Sequence, residues 1–107
     1  MTLPATFTGT DGVALETHDA DWVPHPSYSG IFEIQSNRAK VRATGANVAY
    51  YHNQAPSGAD YSVAATVNWS SVSQNSVGIA GRMSSSANTF YHARIASSNV
   101  QLFKFVA

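Results

Sequence analysis

Residues 61–69 alternate without a break. Tyr61, Val63, Ala65, Val67 and Trp69 take one side, and Ser62, Ala64, Thr66 and Asn68 take the other. A period of two sends successive side chains to opposite faces of a pleated strand. No window of the chain shows the three-and-four spacing of an amphipathic helix. The alternating pattern returns downstream between short polar turns. Val77–Met83, Thr89–Ile95 and Val100–Val106 read as strands, separated by Ser84-Ser85-Ser86-Ala87-Asn88 and Ala96-Ser97-Ser98-Asn99. Gly78 and Gly81 allow close backbone approach in the first of these. Together with Tyr61–Trp69 and the polar loop Ser70–Ser76, they predict a four-stranded antiparallel meander with short connections.

The N-terminal half is less regular. Ala5–Thr8 reads as a short strand and Gly9-Thr10-Asp11-Gly12 as a turn. Ala14–Pro26 reads as an extended loop, because Pro24 and Pro26 oppose a helix there. Ile31–Gln35 and Ala39–Ala43 form an expected hairpin around Ser36-Asn37-Arg38. Val48–His52 is a further strand, and Ala55-Pro56-Ser57-Gly58 turns the chain into Tyr61. About eight strands at roughly 8–12-residue spacing predict an all-β fold: an antiparallel β-sandwich of the jelly-roll type. The 107 residues fit a single domain, 1–107, with no internal repeat or linker.

Charge narrows the classes of partner. Only 11% of residues are charged, and six basic residues balance six acidic ones, against a usual charged share of about 25%. Ser, Thr, Asn, Gln and Gly cover the surface instead, which suits packing against proteins or sugars. Nucleic-acid binding requires clustered cations, and Arg38, Lys40 and Arg42 form the one loose cluster. Their spacing of two puts them on one strand face, read as a solvated face in preference to a phosphate or acidic-partner patch. There is no cysteine, which excludes disulfides and cysteine-based zinc sites. No run approaches the roughly 18 apolar residues of a membrane span. Met1-Thr2-Leu3-Pro4 has neither a charged nor an apolar leader segment. If Met1 is the native start, the expectation is use in the cytoplasm or release by lysis.

The sequence holds no recognisable catalytic constellation. Glycoside hydrolysis needs two facing carboxylates. Asp11, Glu16, Asp19, Asp21, Glu33 and Asp60 include no mid-strand member of the meander and no E-x-D-x-E pattern. Serine is abundant, yet no G-x-S-x-G is present. His18, His25, His52 and His92 lack paired metal-ligand spacing. Asp11, Asp19 and Asp21 could converge on calcium; the preferred reading of Thr10-Asp11-Gly12 is a tight turn with the Asp side chain bonding its own backbone. No cofactor is expected. Asn68-Trp69-Ser70 matches a glycosylation sequon, read as chance.

One strand face carries more chemistry than the rest. His92 and Arg94 share a face with Phe90, while Tyr91, Ala93 and Ile95 look like the core side. Arg82, Gln101 and Phe103 on adjacent strands can join His92 and Arg94 in a mixed aromatic and polar surface. Such a face can hold a sugar ring, or it can pack beneath the fold or a neighbouring subunit; packing is preferred. The candidate ligand-binding set is Trp22, Tyr50, Tyr51, Arg82, His92, Arg94 and Gln101.

Several segments carry a resemblance. They are Phe7-Thr8-Gly9-Thr10-Asp11-Gly12-Val13-Ala14-Leu15, Ser36-Asn37-Arg38-Ala39, Ala59-Asp60-Tyr61-Ser62-Val63 and Gly78-Ile79-Ala80-Gly81-Arg82. Ser85-Ser86-Ala87-Asn88-Thr89-Phe90-Tyr91 and Val100-Gln101-Leu102-Phe103-Lys104 follow them. In order and spacing these segments resemble laminin-G-like, concanavalin-A-like jelly-roll domains of phage and environmental bacterial proteins. The resemblance runs along nearly the whole chain and implies a binding or structural role; it carries over the fold and no site residue.

Relatives of this kind continue past the strand matching Val100–Val106, so the expectation is an incomplete sandwich. Unpaired backbone and an uncovered apolar rim would then need covering. Leu102, Phe103, Phe105 and Val106 are the candidate assembly interface, covered by the N-terminal segment or by a neighbouring chain. These readings lead to a virion structural protein, a capsid decoration (cement) protein or fibre module, as a homo-oligomer or on other virion proteins. The alternative is a carbohydrate-binding module for glycans. A jelly-roll hydrolase ranks last.

Overall fold

A computed structural model describes residues 5–43, 47–54, 56, 58, 60–67, 76–87, 89–96 and 99–106, the side chains of Ser76, Ala96 and Phe105 aside. The chain divides into two compact units, Met1–Ala59 and Asp60–Ala107. Among the described residues there are seven strands in three small antiparallel sheets, and one short helix. The all-β, antiparallel character expected from the period-two pattern is present. No helix among the described residues is long and apolar enough to cross a membrane.

The first unit is organised by a hairpin. Strands β2 (Phe32–Gln35) and β3 (Arg38–Val41) pair from Phe32↔Val41 to Gln35↔Arg38. The loop holds two residues, not three. Ser36 (φ 51°) and Asn37 (φ 59°) both adopt the left-handed conformation, whose twist matches that of the flanking strands. Alternation then sorts the side chains. Ile34 is fully buried, with half-buried Ala39 opposite. Arg38 and Lys40 point to solvent, as the solvated-face reading predicts. Arg42 joins them, its Nε 2.8 Å from Glu33 Oε2.

Two N-terminal expectations are corrected. Leu15–His18 forms one turn of helix, α1, where an extended loop was expected. Pro24 and Pro26 lie beyond that turn, so they oppose nothing within it, and burial of Leu15 holds it in place. Pro24 itself ends strand β1 (Trp22–Pro24), which pairs with β4 (Tyr50–His52). A two-stranded sheet leaves an outer side where a proline costs no ladder bond. Ala5–Thr8 is not a strand. It is a strap, held where His18 Nε2 lies 2.9 Å from the Thr6 carbonyl oxygen and where the Phe7 ring sits 6.1 Å from that of Trp22. A Cβ at Gly9 would lie 2.9 Å from His18 Nδ1, so a larger residue there would have to displace the imidazole.

In the second unit, β5 (Ser76–Gly81), β6 (Phe90–Ala96) and β7 (Asn99–Phe105) form a meander in that order. Gly78 faces Arg94 and Ile79 faces Ala93; Ala93 faces Leu102 and Arg94 faces Gln101. The expected fourth strand is a correction. Residues 61–67 pair with no described strand, and Tyr61 and Val63 are exposed. Alternation of side chains states which face each would take, but a strand exists only when its backbone finds a ladder partner. The Tyr61 hydroxyl instead accepts the N–H of Arg82, just past β5 at φ 52°. Trp69, the Asn68-Trp69-Ser70 sequon, the body of the Ser70–Ser76 loop and the Ser97-Ser98 turn lie outside the described residues.

Candidate functional site

The two faces of the β5–β6–β7 sheet differ. Phe90, His92, Arg94, Gln101 and Phe103 lie on one, as the sequence parity required. Val77, Ile79, Tyr91, Ala93, Ile95, Val100, Leu102 and Lys104 lie on the other. The expectation that the Tyr91 face is core is corrected at Tyr91 itself, whereas Ala93 and Ile95 are half-buried. Among the described side chains of this sheet the buried one is Phe90, on the mixed face, whereas Tyr91 is 46% exposed. Val100 and Leu102 are 80% and 78% exposed. Tyr91 is instead a platform for Lys104, whose Nζ lies 5.8 Å from the ring centroid.

On the mixed face the groups bind one another. The Arg94 guanidinium lies over the Phe103 ring, 4.5 Å from its centroid, and its Nε donates to Gln101 Oε1 at 3.0 Å. His92 meets the Phe90 ring edge-on at 5.9 Å. Burial, and then the nearby positive charge of Arg94, hold the His92 imidazole below its ordinary pKa. Both causes favour the neutral ring.

The aromatic ligand candidates sit in the first unit, and none of them is an open platform. Trp22 is half-buried between Phe7 and His52, whose ring it meets edge-on at 4.9 Å. Its indole Nε1 is buried without a described hydrogen-bond partner. The Tyr50 hydroxyl donates to Glu16 Oε2 at 2.6 Å. Burial and the Glu16 carboxylate push the Tyr50 hydroxyl well above the ordinary phenol range. Tyr51 packs against His25, which is fully buried and whose Nδ1 accepts the Ser27 N–H at 3.1 Å. Trp22, Tyr50 and Tyr51 thus gather around β1 and β4, while His92, Arg94 and Gln101 gather on the sheet of the second unit. Arg82 is exposed beyond the end of β5.

The alternative reading, in which Asp11, Asp19 and Asp21 converge on calcium, gains no support. No group of three metal-binding side chains occurs among the described residues, because each aspartate has another task. Asp11 Oδ1 accepts the Ser36 N–H at 2.8 Å, which also corrects the reading that Asp11 bonds its own turn. Asp19 Oδ1 accepts the Asp21 N–H at 2.9 Å, and Asp21 Oδ2 accepts from Gln54 Nε2 at 2.8 Å. Glu33 is held by Arg42, whose hydrogen bond keeps its carboxyl below the usual range.

The four interface candidates do not form one patch. Leu102 and Phe103 are on opposite faces of β7; Leu102 is exposed, whereas Phe103 is half-buried beneath Arg94. Val106, past the strand, is 70% exposed. The side chain of Phe105 lies outside the described residues. Sequence reasoning missed Val100, although it shares the parity of Leu102. Val77, Ile79, Ala93, Ile95 and Val100 line a shallow trough of about 220 Å³, to which Ala65 and Val67 contribute a wall. The open surface is thus the aliphatic flank of β7 beside this trough.

Charge is also divided. Three cations against five carboxylates give −2 for the first unit, and three against one give +2 for the second, a division hidden by the net zero. No family model, no curated protein and no solved structure matches the chain.

Proposed function

We propose that this chain is a non-catalytic assembly module that docks on other protein subunits. In its full form the proposal is a phage virion component, a capsid decoration or fibre protein with a jelly-roll β-sandwich. The observation that carries the docking reading is the exposure of Val100 and Leu102, about four-fifths each, side by side on one face of β7. Fully burying an aliphatic side chain of this size contributes about 1.5–3 kcal/mol, so a partner covering both gains substantially. A surface with few charges lowers the desolvation cost of that contact. The phage assignment rests on the motif resemblance together with this surface.

Glycan binding is the weaker reading, because its candidate side chains are engaged with one another. Arg94 is committed to Phe103 and Gln101, and Tyr50 to Glu16. A hydrolase is weaker still: Asp11, Glu16, Asp19, Asp21 and Glu33 each hold a hydrogen bond within the fold.

The test is co-sedimentation of the chain with expanded, undecorated phage capsids, alongside a glycan array. Saturable capsid binding that Leu102→Lys weakens at least tenfold is the expected result. Absence of capsid binding, with a glycan bound above background, replaces the proposal with the carbohydrate-binding one.

A further inference from the structure

Exposed strand edges invite pairing with another chain, and folded proteins guard them with proline, charge, brevity or cover. The described strands outside the β5–β6–β7 sheet obey that rule, and the two edges of that sheet do not. Strand β1 carries Pro24, and β4 has three residues. Strand β3 presents Arg38 and Lys40, and β2 is covered on its outer side by the Ala14 bridge to Glu33. Strand β5 has six residues, no proline and no charge, and just past its end Tyr61 accepts the Arg82 N–H. Strand β7, the other edge, has seven residues, no proline, one charge and no described strand on its outer side, and it alone of the two carries strongly exposed aliphatic side chains, Val100 and Leu102.

We infer that β7 pairs antiparallel with β7 of a second copy of this chain, in the register centred on Leu102. The inference rests on the docking reading above and names its partner. Self-pairing follows from the residues of the strand. A register centred on Leu102 pairs all seven residues, Asn99 with Phe105 through Leu102 with Leu102. Paired residues in an antiparallel ladder share a face, so both copies place Val100 and Leu102 on the same side. The two exposed aliphatic pairs become one stripe. Lys104, the only charge in β7, then stands opposite Val100, so no like charges oppose. Two three-stranded sheets become one sheet of six strands, in which the two-fold axis pairs the β7 edges with each other and leaves a β5 strand at either end. An edge-to-edge contact of seven residues is smaller than the roughly 1,600 Å² of a standard interface, so the dimer is concentration-dependent.

The experiment is sedimentation velocity of the full chain from micromolar to millimolar concentration, combined with cysteine crosslinking. Directly opposed Cβ atoms lie about 4.5–5.5 Å apart, and a disulfide spans about 3.5–4.5 Å between them. Leu102→Cys is therefore expected to give a covalent dimer on oxidation with a small strand adjustment. Val100→Cys is not, since four residues of strand, about 13 Å, separate it from its copy. The chain has no cysteine of its own to confuse the result. Leu102→Lys sets two ammonium groups opposite each other and should raise the dimer dissociation constant at least tenfold.

A chain that sediments as a monomer throughout overturns the inference, and so does crosslinking at position 100 in preference to 102. If the cysteine variants do not fold, the sedimentation of the unmodified chain decides. Capsid binding by a strictly monomeric chain removes the self-pairing and leaves the docking proposal intact. A dimer that ignores capsids removes the phage assignment and leaves the self-pairing.

Discussion

The Tyr50 hydroxyl donates to Glu16 Oε2 at 2.6 Å, joining strand β4 to the single helical turn 34 residues earlier in the chain. This bond fixes α1 against the β1–β4 sheet, and it makes stability depend on the Tyr50 proton. The folded unit holds that proton more tightly than the unfolded chain, in which a tyrosine ionises near pH 10. The contribution is therefore complete below about pH 10 and is lost as pH rises toward the elevated folded value. Tyr50→Phe should cost about 1 kcal/mol at neutral pH and flatten the alkaline limb. Urea denaturation followed by circular dichroism from pH 8 to 11 measures both effects.

Glu33 sets the opposite limb. Its hydrogen bond with Arg42 lowers its proton affinity in the folded state. Stability from this pair is present above the ordinary glutamate pKa of about 4.3 and is lost as pH falls through the folded value. Glu33→Gln should remove that acid dependence, read as a smaller change in denaturation midpoint between pH 5.5 and 3.

His92 acts in a third window. Burial and Arg94 depress its folded pKa, so the unfolded chain takes up the proton first. Stability is complete above about pH 6.5 and declines as pH falls below it. His92→Phe should abolish this step while preserving the edge-on contact with Phe90. A wild-type denaturation midpoint that is flat between pH 7.5 and 5.5 would contradict the prediction.

Gly78 is confined by backbone. A Cβ there would press on the Ala93 carbonyl oxygen and lie 2.8 Å from the Arg94 Cα. Main-chain atoms in a paired strand do not move aside, so Gly78→Ala should destabilise by about 1–3 kcal/mol. Gly58, whose added Cβ meets nothing within 4 Å, is the control, and Gly58→Ala should leave the thermal midpoint nearly unchanged.

Ser36 holds φ at 51° without being glycine, a conformation that costs a side-chain-bearing residue roughly 1–2 kcal/mol. Ser36→Gly removes that cost and adds some unfolded-state entropy. The net expectation is a gain of about 0.5 kcal/mol in chemical denaturation. Asn37 tolerates its φ of 59° better, and its Oδ1 also accepts the Gly9 N–H at 3.3 Å. Asn37→Gly should therefore gain less.

Local pattern determined much of what this protein became. The hairpin at Ser36-Asn37, the strands 76–81, 90–96 and 99–105, and the grouping of His92, Arg94, Gln101 and Phe103 on one face were all legible. Turn chemistry and side-chain parity are properties of neighbouring residues, and they survive whatever the rest of the chain does. Tertiary structure decided the rest. Tyr61–Val67 carries the clearest alternation in the sequence yet has no described ladder partner, because pairing depends on which backbone lies alongside. Leu15–His18 became helical because burial of Leu15 outweighed weak local preference. Asp11, Asp19 and Asp21 went to three separate donors, and Tyr91, Val100 and Leu102 stayed exposed while Phe90 was buried. Parity states which residues share a face, but only the packing of distant segments chooses which face is covered.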